Sequence, residues 1–135
     1  MNLPDVPLMS MLRTRMTWLH QRQDVLSQNV ANADTPGFVA RDLKPLDFND
    51  MLHTSVTNKA SGLTVTDPRH IAIRPSSTTK FDDYESRDVE SNPNGNSVSL
   101  EAEMIKVSDT QAQFQAAANL YAKAMSLMRT AIGQP

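Results

Sequence analysis

Three histidines, His20, His53 and His70, and a short acidic run, Asp82, Asp83 and Glu85, are the residues of this chain best suited to chemistry. None of the histidines has a second histidine at helical ligand spacing, so they do not read as a zinc site. The acidic run could hold a hard cation, but no glycine-centred loop or ladder of ligands accompanies it. Serine and threonine are plentiful, yet none sits in a nucleophile elbow, and the 4 glycines are too dispersed to cradle a phosphate. With no cysteine, disulfides, thiolate metal sites and a cysteine nucleophile are excluded. The reading is of a chain that is not an enzyme, with no catalytic residue, no metal, no cofactor and no small-molecule substrate. A site of that kind needs a concave pocket in a packed scaffold, and this composition is a poor source of one.

The composition is thin for an ordinary core. Of 135 residues, 39% are hydrophobic and 5% aromatic, and the mean hydropathy is −0.43. A chain of this size can fold alone if its apolar residues converge, but here they gather at the two ends and leave the centre polar. The formal charge of −2 and a pI near 5.8 give no basic footprint for nucleic acid. Charge is uneven, however. From Leu8 to Ala33, Arg13, Arg15 and Arg22 stand against Asp24, a net +2. From Lys80 to Glu103, Lys80 and Arg87 stand against Asp82, Asp83, Glu85, Asp88, Glu90, Glu101 and Glu103, a net −5. The acidic tract reads as a solvated loop or as a contact between copies. Met1 to Ser10 lacks the basic, apolar and small-residue order of a cleaved leader, and no apolar run approaches the ~20 residues of a membrane span.

What remains is positioning machinery. Met9, Leu12, Met16, Leu19, Gln23, Leu26 and Val30 alternate spacings of three and four, a narrow seam of helices that pair. Pro4, Asp5 and Pro7 suit the start of that helix. Thr35 precedes Pro36 and is pushed out of the helical region, so the helix should end near Asp34. Thr35-Pro36-Gly37-Phe38 then reads as a tight turn, with proline second and glycine third. At the other end Leu100, Met104, Val107, Gln111, Phe114, Ala118, Tyr121, Met125, Met128 and Ile132 repeat the alternation, after Ser97 or Ser99 as cap and before Gly133 as stop. Glu101 and Glu103 complement the positive end of that helix. Val25, Ile105, Leu120 and Leu127 fall off the seams and widen the apolar surface toward further helices. Between the seams, Asp47 to Val56 reads as a short helix, and Leu63 to Thr66 with Ile71 to Ile73 as a short β-hairpin. Pro75 to Asn96 reads as loop. The fold expected is mainly α: long terminal helices paired as a coiled-coil-like layer, with an irregular middle carrying a short hairpin. In segments, 1–34 is the first heptad helix, 35–96 the middle, and 97–135 the second heptad helix, together one assembly domain.

The end of the first helix carries a resemblance. Gln28-Asn29-Val30-Ala31-Asn32-Ala33-Asp34-Thr35-Pro36-Gly37-Phe38 resembles the signature of the bacterial flagellar rod and hook proteins, N-[IVL]-A-N-x-x-T-P-G-[FY], at Asn29, Asn32, Thr35, Pro36, Gly37 and Phe38. Ala40-Arg41-Asp42, Asp67-Pro68-Arg69-His70-Ile71 and the tract from Asn94 to Met104 support it. Within that family the short length points to a subunit of the proximal rod. The start, Leu3 to Pro7, departs from the pattern, and Asn49 to Gly62 matches nothing usable. The resemblance implies an inner layer of paired helices around a hollow axial tube. It also implies export through the flagellar type III apparatus without a cleaved signal, into the periplasm. The implied partners are other copies of the chain, other flagellar rod proteins, the rod-adaptor protein of the membrane ring and the export gate. The seam residues Leu12, Met16, Leu19, Leu26, Val30, Leu100, Met104, Val107, Phe114, Tyr121, Met125, Met128 and Ile132 are then expected at assembly contacts. The competing reading is a soluble helical adaptor that pairs with one partner helix.

Overall fold

Leucine, methionine, arginine and glutamine dominate the first long segment, and all favour a helix. In a computed structural model, which describes residues 7–47, 80–86 and 93–133, that segment forms α1, Pro7–Ala31. The second long segment forms α2, Leu100–Ala131. At 1.5 Å per residue the helices run about 38 and 48 Å. Among the described residues, two three-residue strands lie between them in sequence, β1 (Arg41–Leu43) and β2 (Asp83–Glu85), paired antiparallel with Asp42 opposite Tyr84. The expected short helix from Asp47 and the hairpin of Leu63–Thr66 with Ile71–Ile73 lie outside the described residues. The strand β2 falls where the sequence reads as loop. It is short, its three side chains are exposed, and Asp-Tyr-Glu has no alternation to betray it.

The two helices pack antiparallel, since Asn29 of α1 meets Glu103 of α2 while Arg15 meets Gln113. Their shared layer is the core. Met9, Leu12, Leu19 and Leu26 are buried on α1, and Met16 and Val30 half-buried. On α2 the packed face runs through Glu103, Val107, Thr110, Phe114, Ala117, Tyr121, Ala124 and Met128, all buried or half-buried and spaced alternately by four and three. That face is a pairing seam, turned partly away from the one apolarity alone selects. Val107, Phe114, Tyr121 and Met128 belong to both. Glu103 and Thr110 replace Met104 and Gln111 as the inward residues, and the exposed Leu100, Met104 and Ile132 lie outside it.

The described residues up to Pro45 and from Phe81 onward form one unit. After α1 the chain reverses and runs back along it. Trp18 Nε1 donates to Lys44 O at 2.9 Å, Arg22 pairs with Asp42, and Asn29 bonds the main chain of Arg41. Rising residue numbers on α1 thus meet falling numbers on β1. Gln21 Oε1 accepts the Phe81 N–H at 3.1 Å and fixes the return of the chain toward β2.

Candidate assembly interface

The tract from Asn29 to Phe38 ends α1 through a series of tightening bonds. Asn32 N–H donates to Gln28 O and Asn29 O, both at 3.1 Å, and Thr35 N–H donates to Asn32 O at 3.0 Å. Asn32 Nδ2 donates to Gln28 O at 2.8 Å, and Thr35 Oγ1 donates to Asn32 Oδ1 at 3.2 Å. Phe38 N–H then closes a turn onto Thr35 O at 3.3 Å, with Gly37 in the left-handed region at φ 72°. A second turn backs onto the first. Gly37 N–H donates to Asn94 O at 3.2 Å, and a Cβ at Gly95 would lie 3.6 Å from Gly37 Cα. Nothing lies within 4 Å of a Cβ at Gly37 itself, so a side chain there meets space and suffers only from its backbone angle. Left-handed φ costs a non-glycine residue roughly 1–2 kcal/mol. Gly37→Val is therefore expected to lower the urea midpoint by about that much, and Gly37→Asn by less, because asparagine tolerates this region. Equal losses for the two would place the cost elsewhere than in the backbone.

Two buried asparagines tie this turn to the rest of the chain. Asn29 commits both its donors and its oxygen: Nδ2 donates to Arg41 O at 2.6 Å and to Glu103 Oε2 at 2.9 Å, and Oδ1 accepts the Arg41 N–H at 3.0 Å. Asn96 does the same at the other turn. Its Nδ2 donates to Asn32 O at 3.0 Å and Thr35 O at 2.7 Å, while Oδ1 accepts the Val98 N–H at 2.8 Å. Asn32 O and Thr35 O, just past the end of α1, each accept a turn N–H, and here a side chain 61 residues or more away in sequence supplies a second donor to both. The two turns are joined further by Ser97 N–H to Phe38 O and by Ala40 N–H to Ser97 Oγ. Together these bonds make a clamp that holds the end of α1, the strand β1 and the start of α2.

The polar residues inside the clamp are satisfied. Glu103, fully buried, receives Lys106 Nζ at 2.7 Å on its other oxygen, and Thr110 Oγ1 donates back to Lys106 O. No buried side-chain polar atom among the described residues lacks a partner. Ser99 occupies the cap position of α2 in extended geometry but makes no side-chain capping bond; the Glu103 N–H reaches its carbonyl instead. Arg22 forms a two-pronged pair with Asp42, Nε and Nη2 each at 2.8 Å, and both groups are largely shielded from water. Hydrogen bonding to Asp42 raises the Arg22 pKa further above its ordinary value, against the opposing effect of burial. Asp42 Oδ1 also accepts the Leu43 N–H. The guanidinium groups of Arg15 and Arg22 lie over the Trp18 ring at 5.2 and 5.5 Å.

One edge of β1 is thereby closed. The bonds toward β2 run through residues 40 and 44, where Ser86 N–H donates to Ala40 O and Lys44 N–H to Asp82 O. Arg41 points its main-chain groups the other way, as alternate residues of an antiparallel strand do. The Asn29 amide takes both of them, as a neighbouring strand would.

The charges read from sequence resolve in part. Asp82 and Asp83 form ion pairs with Lys44 and Arg41 at 3.7 and 3.1 Å, exposed pairs that add little. Among the described residues no group of three or more His, Asp or Glu side chains is placed to hold a metal ion. No helix among them is long and apolar enough to cross a membrane.

Residues 9–38, which span the α1 seam and the turn, match a family model described as "Flagella basal body rod protein". Over 102 residues the chain is 35% identical to the flagellar basal body rod protein FlgB of Proteus mirabilis strain HI4320, covering 72% of each chain. The chain belongs to the FlgB family of flagellar basal body rod proteins. It is also 34% identical over 106 residues to the protein of that name in Escherichia coli K12, covering 70% of each chain. The match to the Agrobacterium fabrum protein is 28% over 121 residues and covers 88% of this chain and 87% of the relative. Within this FlgB-family chain, Asn29, Asn32 and Thr35 to Phe38 are clamp residues. Asn96, Glu103, Arg22, Asp42 and Trp18 are the partners, a role that sequence reading gave to none of them. Their advance signals were the tract Asn94 to Met104, which contains Asn96 and Glu103, and Ala40-Arg41-Asp42, which contains Asp42.

The seam residues divide between two surroundings. Leu12, Leu19 and Leu26 are buried within the single chain, and Met16, Val30, Val107, Phe114, Tyr121, Met125 and Met128 are half-buried. Leu100, Met104 and Ile132 are exposed, as are Ile105 at 71%, Leu120 at 52% and Leu127 at 62%. These large apolar side chains lie outside the intramolecular seam.

Proposed function

We propose that this chain is a structural, non-catalytic subunit of the bacterial flagellar rod, in its proximal part, and that its helices pack against other copies and other rod proteins. Membership in the FlgB family supports the rod. The observation that carries the assembly reading is that α2 fills one face against α1 and still exposes Leu100, Met104, Ile105, Leu120, Leu127 and Ile132. A subunit of an axial structure needs several apolar faces, because head-to-tail contacts that do not close build a helical array. The seam positions read from sequence act here as one surface, partly consumed within the chain and partly offered to neighbours. Residues 1–34, 35–96 and 97–135 serve as inner helix, outer connection and inner helix of one assembly domain. The finer expectations are export without a cleaved signal, residence in the periplasm, and contact with the export gate and the rod-adaptor protein of the membrane ring. An adaptor that binds a single partner helix would need one exposed apolar face. Here Ile105 and Leu127 lie more than a quarter turn around α2 from Leu100 and Met104, at ~100° per residue.

Leu120→Asp with Leu127→Asp tests the reading. Both side chains are largely exposed, so the far-UV spectrum and urea midpoint should stay close to the parent values. Motility of a strain carrying only the double variant, and recovery of the chain in purified basal bodies, should be lost. Normal incorporation would sink the proposal that this face is an assembly contact.

A further inference from the structure

Nine asparagines occur in the chain, and Asn94 alone precedes a glycine. Glycine leaves its own nitrogen sterically open, because it has no Cβ. Asn94 is exposed, and its Nδ2 donates no hydrogen bond among the described residues, whereas the amide groups of Asn29, Asn32 and Asn96 are all committed as donors. Asparagine is among the residues that limit a protein's chemical lifetime. We propose that Asn94 is a site of spontaneous deamidation, and that its isoaspartyl product opens the clamp between the two turns.

The chemistry requires only water. The Gly95 main-chain nitrogen attacks Cγ of Asn94, forming a C–N bond as the Cγ–Nδ2 bond breaks. Nδ2 leaves as ammonia, taking the Gly95 N–H proton with it, and a five-membered imide remains. Water then opens the ring: hydroxide adds to one carbonyl carbon and the proton returns to the Gly95 nitrogen. Opening at the former main-chain carbonyl routes the backbone through Cγ, one methylene longer, and leaves a free carboxylate where the Asn94 carbonyl was. That carbonyl is the acceptor for Gly37 N–H at 3.2 Å, and Asn94 Oδ1 holds the Asn96 N–H at 3.1 Å. Asn96 in turn holds Asn32 O, Thr35 O and Val98 N–H. A longer chain at residue 94 therefore displaces the bonds that end α1.

The full-length chain should be aged in mildly alkaline buffer, which promotes attack by the glycine nitrogen. Isoaspartate is then located by methyl transfer from labelled S-adenosylmethionine with protein isoaspartyl methyltransferase, followed by peptide mapping. The label is expected on the peptide that carries residue 94, and helical signal and Trp18 fluorescence should fall as it accumulates. Asn94→Ser cannot form the imide, keeps a short oxygen for the Asn96 N–H, and should stay unlabelled with both signals intact. Repeated cycles of methylation return isoaspartate to ordinary aspartate and should restore the signals in the aged parent chain, a readout independent of how well the variant folds. The proposal is overturned if residue 94 stays unlabelled while urea-unfolded chain becomes labelled there. It is equally overturned if the label accumulates with no change in either signal, or if repair of the chain length restores nothing.

Discussion

Asn29→Asp is expected to cost about 3–5 kcal/mol of folding stability, the range for breaking a buried charged network by removing one partner. The substitution changes one atom group and almost no volume, so packing does not contribute. Both Nδ2 donor bonds vanish, to Arg41 O at 2.6 Å and to Glu103 Oε2 at 2.9 Å. In their place a second carboxylate stands against a fully buried one, while the bond from Arg41 N–H survives. Urea unfolding followed by far-UV circular dichroism reads the loss. A partner change makes the test sharper. Glu103→Gln supplies an amide that can donate to the carboxylate introduced at position 29, so the double variant should recover part of the loss, with a coupling energy above about 0.5 kcal/mol. If Asn29→Asp leaves stability within about 0.5 kcal/mol of the parent, the range of surface changes, the clamp is not what holds the two helices.

Asn96→Ala is the second large effect, expected at about 1–3 kcal/mol. A buried polar group left without a partner costs roughly 1–3 kcal/mol, and this change strips the Val98 N–H outright, while Asn32 O and Thr35 O lose their second donor and keep the Thr35 and Phe38 N–H groups. The two carbonyls add little, because each keeps its main-chain donor and Thr35 is exposed to water. The effect should also be local before it is global. Hydrogen exchange is expected to speed up first in the last turn of α1 and in residues 38–43, and only then across the helix pair. Uniform loosening, with α1 and the turns exchanging together, would show instead that the clamp and the seam are one cooperative unit.

The two helices of this chain are legible in sequence because their periodic apolar residues are also the residues that pack. On α1 the correspondence is close: Met9, Leu12, Leu19 and Leu26 stand at seam spacing and are buried. On α2 it is partial, for a physical reason. Burial of Glu103 and Thr110 is made tolerable by Asn29 and Lys106 and by a main-chain carbonyl one turn back, and no hydropathy pattern records such compensation. Apolarity therefore selects Leu100 and Met104, which the single chain leaves exposed. The strands are short and polar, and their pairing joins residues 41–43 to 83–85, a separation no local signal spans. The motif from Asn29 to Phe38 is visible as a pattern, but what Asn29 does depends on Arg41 and Glu103, two elements that sequence spacing does not bring together.

The closed edge of β1 bears on how copies of this chain can add to one another. An open strand edge is a template: its unpaired N–H and C=O groups recruit any extended segment that arrives, whatever its side chains. Pairing of that kind joins chains through backbone alone, without regard to sequence. The side-chain amide of Asn29 fills the Arg41 position that an arriving strand would use. On that side, the main-chain pair of Arg41 is already taken, so an arriving extended segment finds no backbone partner there.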